Sequence, residues 1–380
     1  MTEADVRHLA SDQDMSALAQ ASFELILELQ DASGAYPASP TFSAYAGYSW
    51  FRDGAFIADA VSSYGGVDSA SRFFGWCSAI LLERTDQVNR IVAAAAKAQQ
   101  VADSEMLATR FTFAGEEGSD DWWDFQLDGY GTWVWAVVEH ARRHRLDLNR
   151  WGTAIALSVD YLLSSWRRPC FDWWEENPDQ VHVSTLACIS AGLRAATTSG
   201  VLNEARRAAA ESADRDIHLL IREHGVVDGH LVKCLGSTEV DGSLLAALAP
   251  LGVIPASSPV GQATIRAVEA TLNVDGGVHR YRADTFYGGG QWPLLSCMLG
   301  LAYAGVGDRP AALRQLGWAA STVGADGSMP EQVADHLLDP STRDQWIKRW
   351  GTAAQPLLWS HAMYIRLAVE LGLTERENVR

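Results

Sequence analysis

The chain reads as an all-α protein, a double ring of about twelve helices of the (α/α)6-barrel kind, on three observations. Helical periodicity runs through nearly all of its 380 residues, strand signals are scarce, and the helices alternate in character. One kind is amphipathic and the other apolar on every side. A helix apolar on every side must be buried on every side, so the second kind forms an inner ring of six and the first an outer ring of six.

In chain order the periodicity predicts helices over 14–31, 53–64, 68–100, 130–145, 149–167, 181–197, 203–223, 241–250, 260–272, 291–306, 309–323 and 354–372. The odd members are amphipathic. In the seventh, Asn203-Glu204-Ala205-Arg206-Arg207-Ala208-Ala209-Ala210-Glu211 keeps its charges on one face. The even members are apolar all round, as in Trp133-Val134-Trp135-Ala136-Val137-Val138 of the fourth and Trp292-Pro293-Leu294-Leu295-Ser296-Cys297-Met298-Leu299 of the tenth. Residues 225–235 read as a small hairpin. Links from even to odd helices are short, such as Gly305-Val306-Gly307-Asp308, whereas links from odd to even are long, aromatic and polar. In an up-and-down ring all odd-to-even links emerge at one end, where six loops form a pocket.

Composition narrows the partners. The chain is 48% hydrophobic, enough for a large core, and no Pro/Gly/Ser linker or low-complexity tract divides it. We therefore expect one catalytic domain over 1–380, without a separate β-sandwich or starch-binding domain. The acidic cluster from Glu116-Glu117 to Asp120-Asp121 reads as a solvated loop. A net charge of -17 argues against nucleic acid and against an anionic membrane surface. It favours a neutral or weakly charged ligand. The fifteen tryptophans supply core and, in loops, flat surfaces on which sugar rings stack. The five cysteines form no C-x-x-C pair and read as reduced core thiols of a cytoplasmic protein. The N-terminus has no export signal, and no apolar run is long enough to span a membrane. The scattered histidines and the missing H-E-x-x-H leave no metal site, and no cofactor is expected; His361 reads as a core histidine. Gly288-Gly289-Gly290 reads as close backbone approach at a helix start.

The chemistry concentrates in the odd-to-even links. Cys170-Phe171-Asp172-Trp173-Trp174-Glu175-Glu176 and Gly327-Ser328-Met329-Pro330-Glu331-Gln332 each set a carboxylate among aromatic or rigid neighbours. Two carboxylates on separate loops are what glycosidic cleavage requires, one as acid and one as base. Indole walls exclude water and disfavour the carboxylate, so the pKa of Glu175 is expected to rise. Taken alone, Glu175-Glu176 reads more readily as a solvated helix start, Pro330-Glu331 as a common helix N-terminus, and Arg52-Asp53 as a cap with a salt bridge.

Together, in order, Tyr48-Ser49-Trp50-Phe51-Arg52-Asp53-Gly54, Trp173-Trp174-Glu175-Glu176, Arg280-Tyr281-Arg282-Ala283-Asp284-Thr285-Phe286-Tyr287, Trp292-Pro293-Leu294-Leu295, Pro330-Glu331-Gln332 and Pro356-Leu357-Leu358-Trp359-Ser360-His361 resemble the motifs of glycoside hydrolase family 15, the glucoamylase family. The resemblance covers residues 45–372. It implies Glu175 as general acid, Glu331 as general base, and Glu176 as a ligand of the leaving sugar. It implies that Arg52 and Asp53 grip the non-reducing glucose, with Trp50 as the wall beside them, and that a pocket closed there acts from the chain end. Arg280 would span the scissile subsites, Trp292 and Trp174 would line them, and Trp122 would contact the acid, although Asp121-Trp122-Trp123-Asp124 matches only loosely. Asp128 is a partner for sugar or arginine, or a helix cap. Gln332 would orient Glu331 or bind a hydroxyl.

The chain departs from the family at two places. Phe286 stands where an aromatic hydroxyl is common, and Ala46 stands where a tyrosine is usual, with Tyr45 and Tyr48 on either side. The resemblance implies an inverting exo-α-glucosidase that acts on a small α-glucoside and releases β-glucose, and likeness to small free-standing members of the family makes isomaltose and isomaltooligosaccharides the preferred substrates. Alternatives are an α,α-trehalase of the same family, a glycoside phosphorylase on a similar barrel, and a non-catalytic sugar-binding protein. Oligomeric state is open.

Overall fold

A computed structural model describes residues 11–118, 122 and 125–374. Fourteen helices occur among them: α1 Asp12–Leu29, α2 Phe51–Tyr64, α3 Val67–Glu83, α4 Thr85–Ala95, α5 Asp128–His144, α6 Asn149–Ser165, α7 Val183–Thr198, α8 Glu204–His224, α9 Leu245–Leu248, α10 Pro259–Leu272, α11 Pro293–Gly305, α12 Arg309–Ser321, α13 Pro340–Trp350 and α14 Leu358–Glu370. Three antiparallel two-stranded ribbons join them: β1 Tyr48–Trp50 with β2 Arg110–Thr112, β3 Val226–Val227 with β4 His230–Leu231, and β5 Asn273–Val274 with β6 Gly277–Val278. The second is the hairpin expected over 225–235.

The inner ring closes. α2 packs on α5, α5 on α7, α7 on α9, α9 on α11, α11 on α14, and α14 returns to α2. These are the helices of uniform apolar character. In α2, α5 and α11 nearly every residue is buried, whereas α8 buries only Ala210, Ala213, Ile217 and Ile221. The outer helices α1, α3, α6, α8, α10 and α12 each lie against this ring. The expected all-α double ring of helices is what the structure shows.

At the seam between α5 and α7 the two backbones themselves meet. A Cβ on Gly131 would meet the Cys188 carbonyl at 2.4 Å, and one on Gly192 would meet the Gly131 carbonyl at 2.4 Å. The two backbones approach that closely because neither residue carries a side chain there.

Three elements differ from expectation. The helix expected over 68–100 is two, broken at Arg84, whose guanidinium reaches back to the carbonyls of Ile80 and Gly115. The helix expected over 241–250 shrinks to a 3-10 turn, Gly242–Leu244, and the single turn of α9. Asp241 caps that turn by accepting from the Ser243 N–H at 2.8 Å, and Ala249 turns extended before Pro250, as the residue preceding a proline must. Between Glu331 and Leu358 the sequence predicts a loop merging into the last helix from residue 354. The structure instead inserts α13 and begins α14 at Leu358.

Candidate active site

The odd-to-even links converge on one mouth of the ring and line a cavity of about 390 Å³. Its walls include Trp50, Arg52, Asp53, Trp122, Trp174, Glu175, Glu176, Arg280, Trp292 and Glu331, while Asp128 and Gln332, also given roles from the sequence, stand behind them. Asp120 and Asp121, and the Trp123-Asp124 pair, lie outside the described residues.

The floor is built at the start of α2. Trp50, the last residue of β1, delivers the chain into the helix, so Arg52 and Asp53 fall in its first turn and point into the ring. Arg52 is buried between the indoles of Trp173 and Trp359, 5.9 and 5.6 Å from the ring centres. Its Nη1 donates to Gln126 and to Asp128 at 3.1 Å, and its Nη2 lies 3.3 Å from Asp53. Burial opposes the Arg52 charge, but Asp128, Asp53 and Glu175 outweigh it and hold the guanidinium ionised. Asp128, first residue of α5 and fully buried, is therefore the partner of the arginine. Burial raises the pKa of Asp53 against the pull of the Arg52 guanidinium beside its Oδ2. Among the described residues the Arg52 Nε and the Trp359 indole N–H have no hydrogen-bond partner. Unpaired donors beside the Asp53 carboxyl are suited to hydroxyl groups.

Glu175 sits in a tight turn that Asp172 holds. The Asp172 carboxylate accepts from the N–H of Trp174 at 3.0 Å and of Glu176 at 2.9 Å, and the Glu175 N–H donates to the Asp172 carbonyl at 3.0 Å. The turn forces Glu175 to a φ of 62°, an uncommon conformation for a residue with a side chain and one that tends to mark working sites. Lys233 binds this turn to the next inner helix. Its Nζ lies 3.4 Å from Asp172 and 3.3 Å from Asp241, and Asp241 in turn accepts from the Trp174 indole.

The Glu175 side chain accepts from the Trp50 indole at 2.7 Å and from Trp122. Burial lifts its pKa to about 7, against the pull of Arg52 and these two donors. The sequence anticipates this lift; nothing in it announces the equal one at Glu331. That carboxyl is 1% exposed and is also raised by burial to about 7, with the Tyr45 hydroxyl donating to it at 2.9 Å. Of the two tyrosines flanking Ala46, Tyr45 is the one that reaches Glu331. Tyr48 packs instead beneath the Arg110 guanidinium.

Glu331 owes its position to the entry of α14. Its N–H donates to the Ala354 carbonyl, the Ser360 hydroxyl to the Pro330 carbonyl, and the Met329 N–H to Nε2 of His361. His361 is thus a buried core histidine, with its pKa lowered to about 4 by burial, and it also anchors the loop of Glu331. Gln332 does not reach Glu331. Its Oε1 accepts from the Gly290 N–H at 2.9 Å, which pins this loop to the glycine segment. A Cβ on Gly290 would meet the Val333 carbonyl at 2.4 Å, so the close approach expected of Gly288-Gly289-Gly290 is present.

Arg280 forms the wall toward the mouth. Its Nε donates to Asp284 at 2.8 Å and its Nη2 lies 3.4 Å from Glu176, which also accepts from the Tyr281 hydroxyl. The rings of Trp174, Phe286 and Trp292 pack within 5.0 to 5.6 Å of the guanidinium. Trp173, Trp359 and Tyr45 also line the cavity and were not singled out as binding residues. The first two lie inside quoted motifs, where their aromatic character was the available signal. Among the described residues, no three His, Cys, Asp or Glu side chains gather as a metal site requires, and no helix is long and apolar enough to cross a membrane.

A ring of helices with two buried carboxyls in one indole-lined pocket is the arrangement of a glycoside hydrolase. The sequence profile of Glycosyl hydrolases family 15 matches residues 13–350, and the chain belongs to that family. It is 54% identical over 358 residues to the isomaltose glucohydrolase of Kribbella flavida, covering 94% of this chain and 93% of that protein. A solved wild-type glycosidase is 53% identical with a TM-score of 0.93, covering 95% of this chain and 97% of that one; a variant glycosidase in complex with glucose matches equally. The glucoamylase of Saccharomycopsis fibuligera superposes with a TM-score of 0.70 at 14% identity, over 98% of each chain, a likeness of fold alone.

Proposed function

We propose that the chain is an inverting exo-acting α-glucosidase that removes the non-reducing glucose of short α-1,6-linked glucosides, isomaltose foremost, and releases β-glucose. One observation carries the reading. Glu175 and Glu331 share a pocket, each with a pKa near 7 and each holding a neutral hydrogen-bond donor. Such carboxyls exchange protons near neutral pH. In this reading Glu175 gives its proton to the glycosidic oxygen as the bond to C1 breaks. Glu331 takes a proton from the water that attacks C1 on the opposite face, and the product is inverted. Arg52 and Asp53 close the floor around the terminal glucose; Trp50, Trp122 and Trp174 flank it; Glu176, Arg280 and Trp292 receive the leaving sugar. The name of the Kribbella flavida relative supports isomaltose as the substrate. The five unpaired cysteines support an intracellular setting, and the closed ring supports one catalytic domain.

The test is a proton NMR time course with isomaltose, following the anomeric signals of released glucose. β-Glucose appearing first is the expected result. α-Glucose appearing first would sink the acid and base assignment, and no cleavage would sink the substrate.

A further inference from the structure

The double ring does not require α13. It lies in the last odd-to-even link and buries no residue fully, although it carries Trp346, Ile347 and Trp350. Its N-terminal end is pinned to the segment leading from Arg280 to Trp292. The N–H groups of Asp339 and Leu338 donate to the carbonyls of Gly288 and Gly289 at 2.9 and 3.3 Å, and the Thr342 hydroxyl donates to the Thr285 carbonyl at 2.9 Å. Just past its C-terminal end the Gly351 carbonyl accepts from Tyr287 at 3.0 Å.

Trp346, Arg349 and Trp350 stand three and four residues apart, on one face, and that face lines the cavity. The Trp346 ring meets Phe286 edge-on with centroids 4.8 Å apart, and Phe286 touches Trp292 at 6.4 Å and Arg280 at 5.0 Å. A path of rings therefore runs from the residues assigned to the leaving sugar out to the rim. Arg349 is exposed there, its guanidinium 5.0 Å from the Trp350 ring, and no carboxylate pairs with it among the described residues.

We propose that this face of α13 is an outer sugar subsite, which binds the glucose ring following the leaving one, and that Trp346 determines chain-length specificity. The inference rests on the isomaltooligosaccharide reading above. Indole presents a flat apolar surface to the C–H face of a pyranose, and an unpaired guanidinium presents a planar fork of donors to its hydroxyls. The net charge of -17 disfavours an anionic occupant.

The experiment compares kcat/KM of the full-length enzyme on isomaltose and isomaltotriose, for wild type, Trp346→Ala, Trp346→Phe and Arg349→Ala. Trp346→Ala should lose roughly fivefold on the trisaccharide, the size of one lost ring contact, and less than twofold on the disaccharide. Trp346→Phe should recover most of the loss. Arg349→Ala, which removes only an exposed group, should lose about twofold on the trisaccharide alone. Equal losses on both substrates, or no loss on either, would overturn the proposal. A gain on the trisaccharide would also overturn it, by making the helix a barrier. A wild-type enzyme that cleaves neither sugar would instead refute the isomaltooligosaccharide reading, and this outer subsite with it.

Discussion

The phenol of Tyr45 stands edge-on to the indole of Trp50, with ring centroids 5.4 Å apart, and each ring gives its hydrogen to a different buried carboxyl. Tyr45 serves Glu331 and Trp50 serves Glu175. Two contacting aromatic side chains thus join the two carboxyls without an ion pair between them.

The two donors are expected to act on opposite limbs of the pH profile. Each hydrogen bond lowers the pKa of its carboxyl. Tyr45→Phe should raise that of Glu331, so the rise of kcat/KM on the acid side moves to higher pH. Trp50→Phe should raise that of Glu175, so the fall on the alkaline side moves to higher pH. One substitution narrows the active range and the other extends it upward. Profiles from pH 4 to 9 decide; a shift of the same limb by both would separate the donors from these roles.

Replacing either carboxyl by its amide removes proton transfer and keeps the shape. Glu175→Gln and Glu331→Gln should each lower kcat on the order of 10²–10⁴-fold with KM little changed. Near wild-type turnover in Glu331→Gln would show that another group acts as base.

The same two carboxyls work against the fold. Burial raises both from 4.5 to about 7, so the folded chain binds protons that the unfolded chain has already released. Their contribution is intact below about pH 4.5 and is lost as pH rises through 7. Glu331→Gln should therefore be more stable than wild type at pH 8, by about 3 kcal/mol, with the gap closing near pH 4. Thermal unfolding at the two pH values reads this directly, and a gap independent of pH would refute it.

Asp128→Ala leaves Arg52 buried with a weaker set of partners. Breaking a buried pair on one side costs about 3–5 kcal/mol, so Tm should fall and KM should rise as the floor loosens. Unchanged Tm would show that Gln126 and Asp53 suffice to hold the arginine.

Much of this was legible in the residues themselves. The all-round apolar runs of α5 and α11 placed them inside, and carboxylates beside tryptophan and proline marked the two loops. What stayed hidden depends on contacts across the ring. Tyr45 and Tyr48 are equivalent in sequence; only the pairing of β1 with β2 turns one to Glu331 and the other to Arg110. Lys233 lies 61 residues from Asp172, and nothing local announces that pair. α13 did carry a signal: Asp339-Pro340 is a helix start, and Trp346, Ile347 and Trp350 follow at helical spacing. A link dense with polar residues masked it.

The glycine seam between α5 and α7 fixes the spacing of two helices that lead into the pocket. α5 begins with Asp128, which holds the floor, and α7 follows the turn that carries Glu175, so both hang from the two sides of this join. A methyl group at Gly131 or Gly192 would act like a wedge in a hoop, moving one side of the reaction chamber away from the other. An enzyme altered there would lose turnover with every reacting group intact, and its defect would be one of gauge alone.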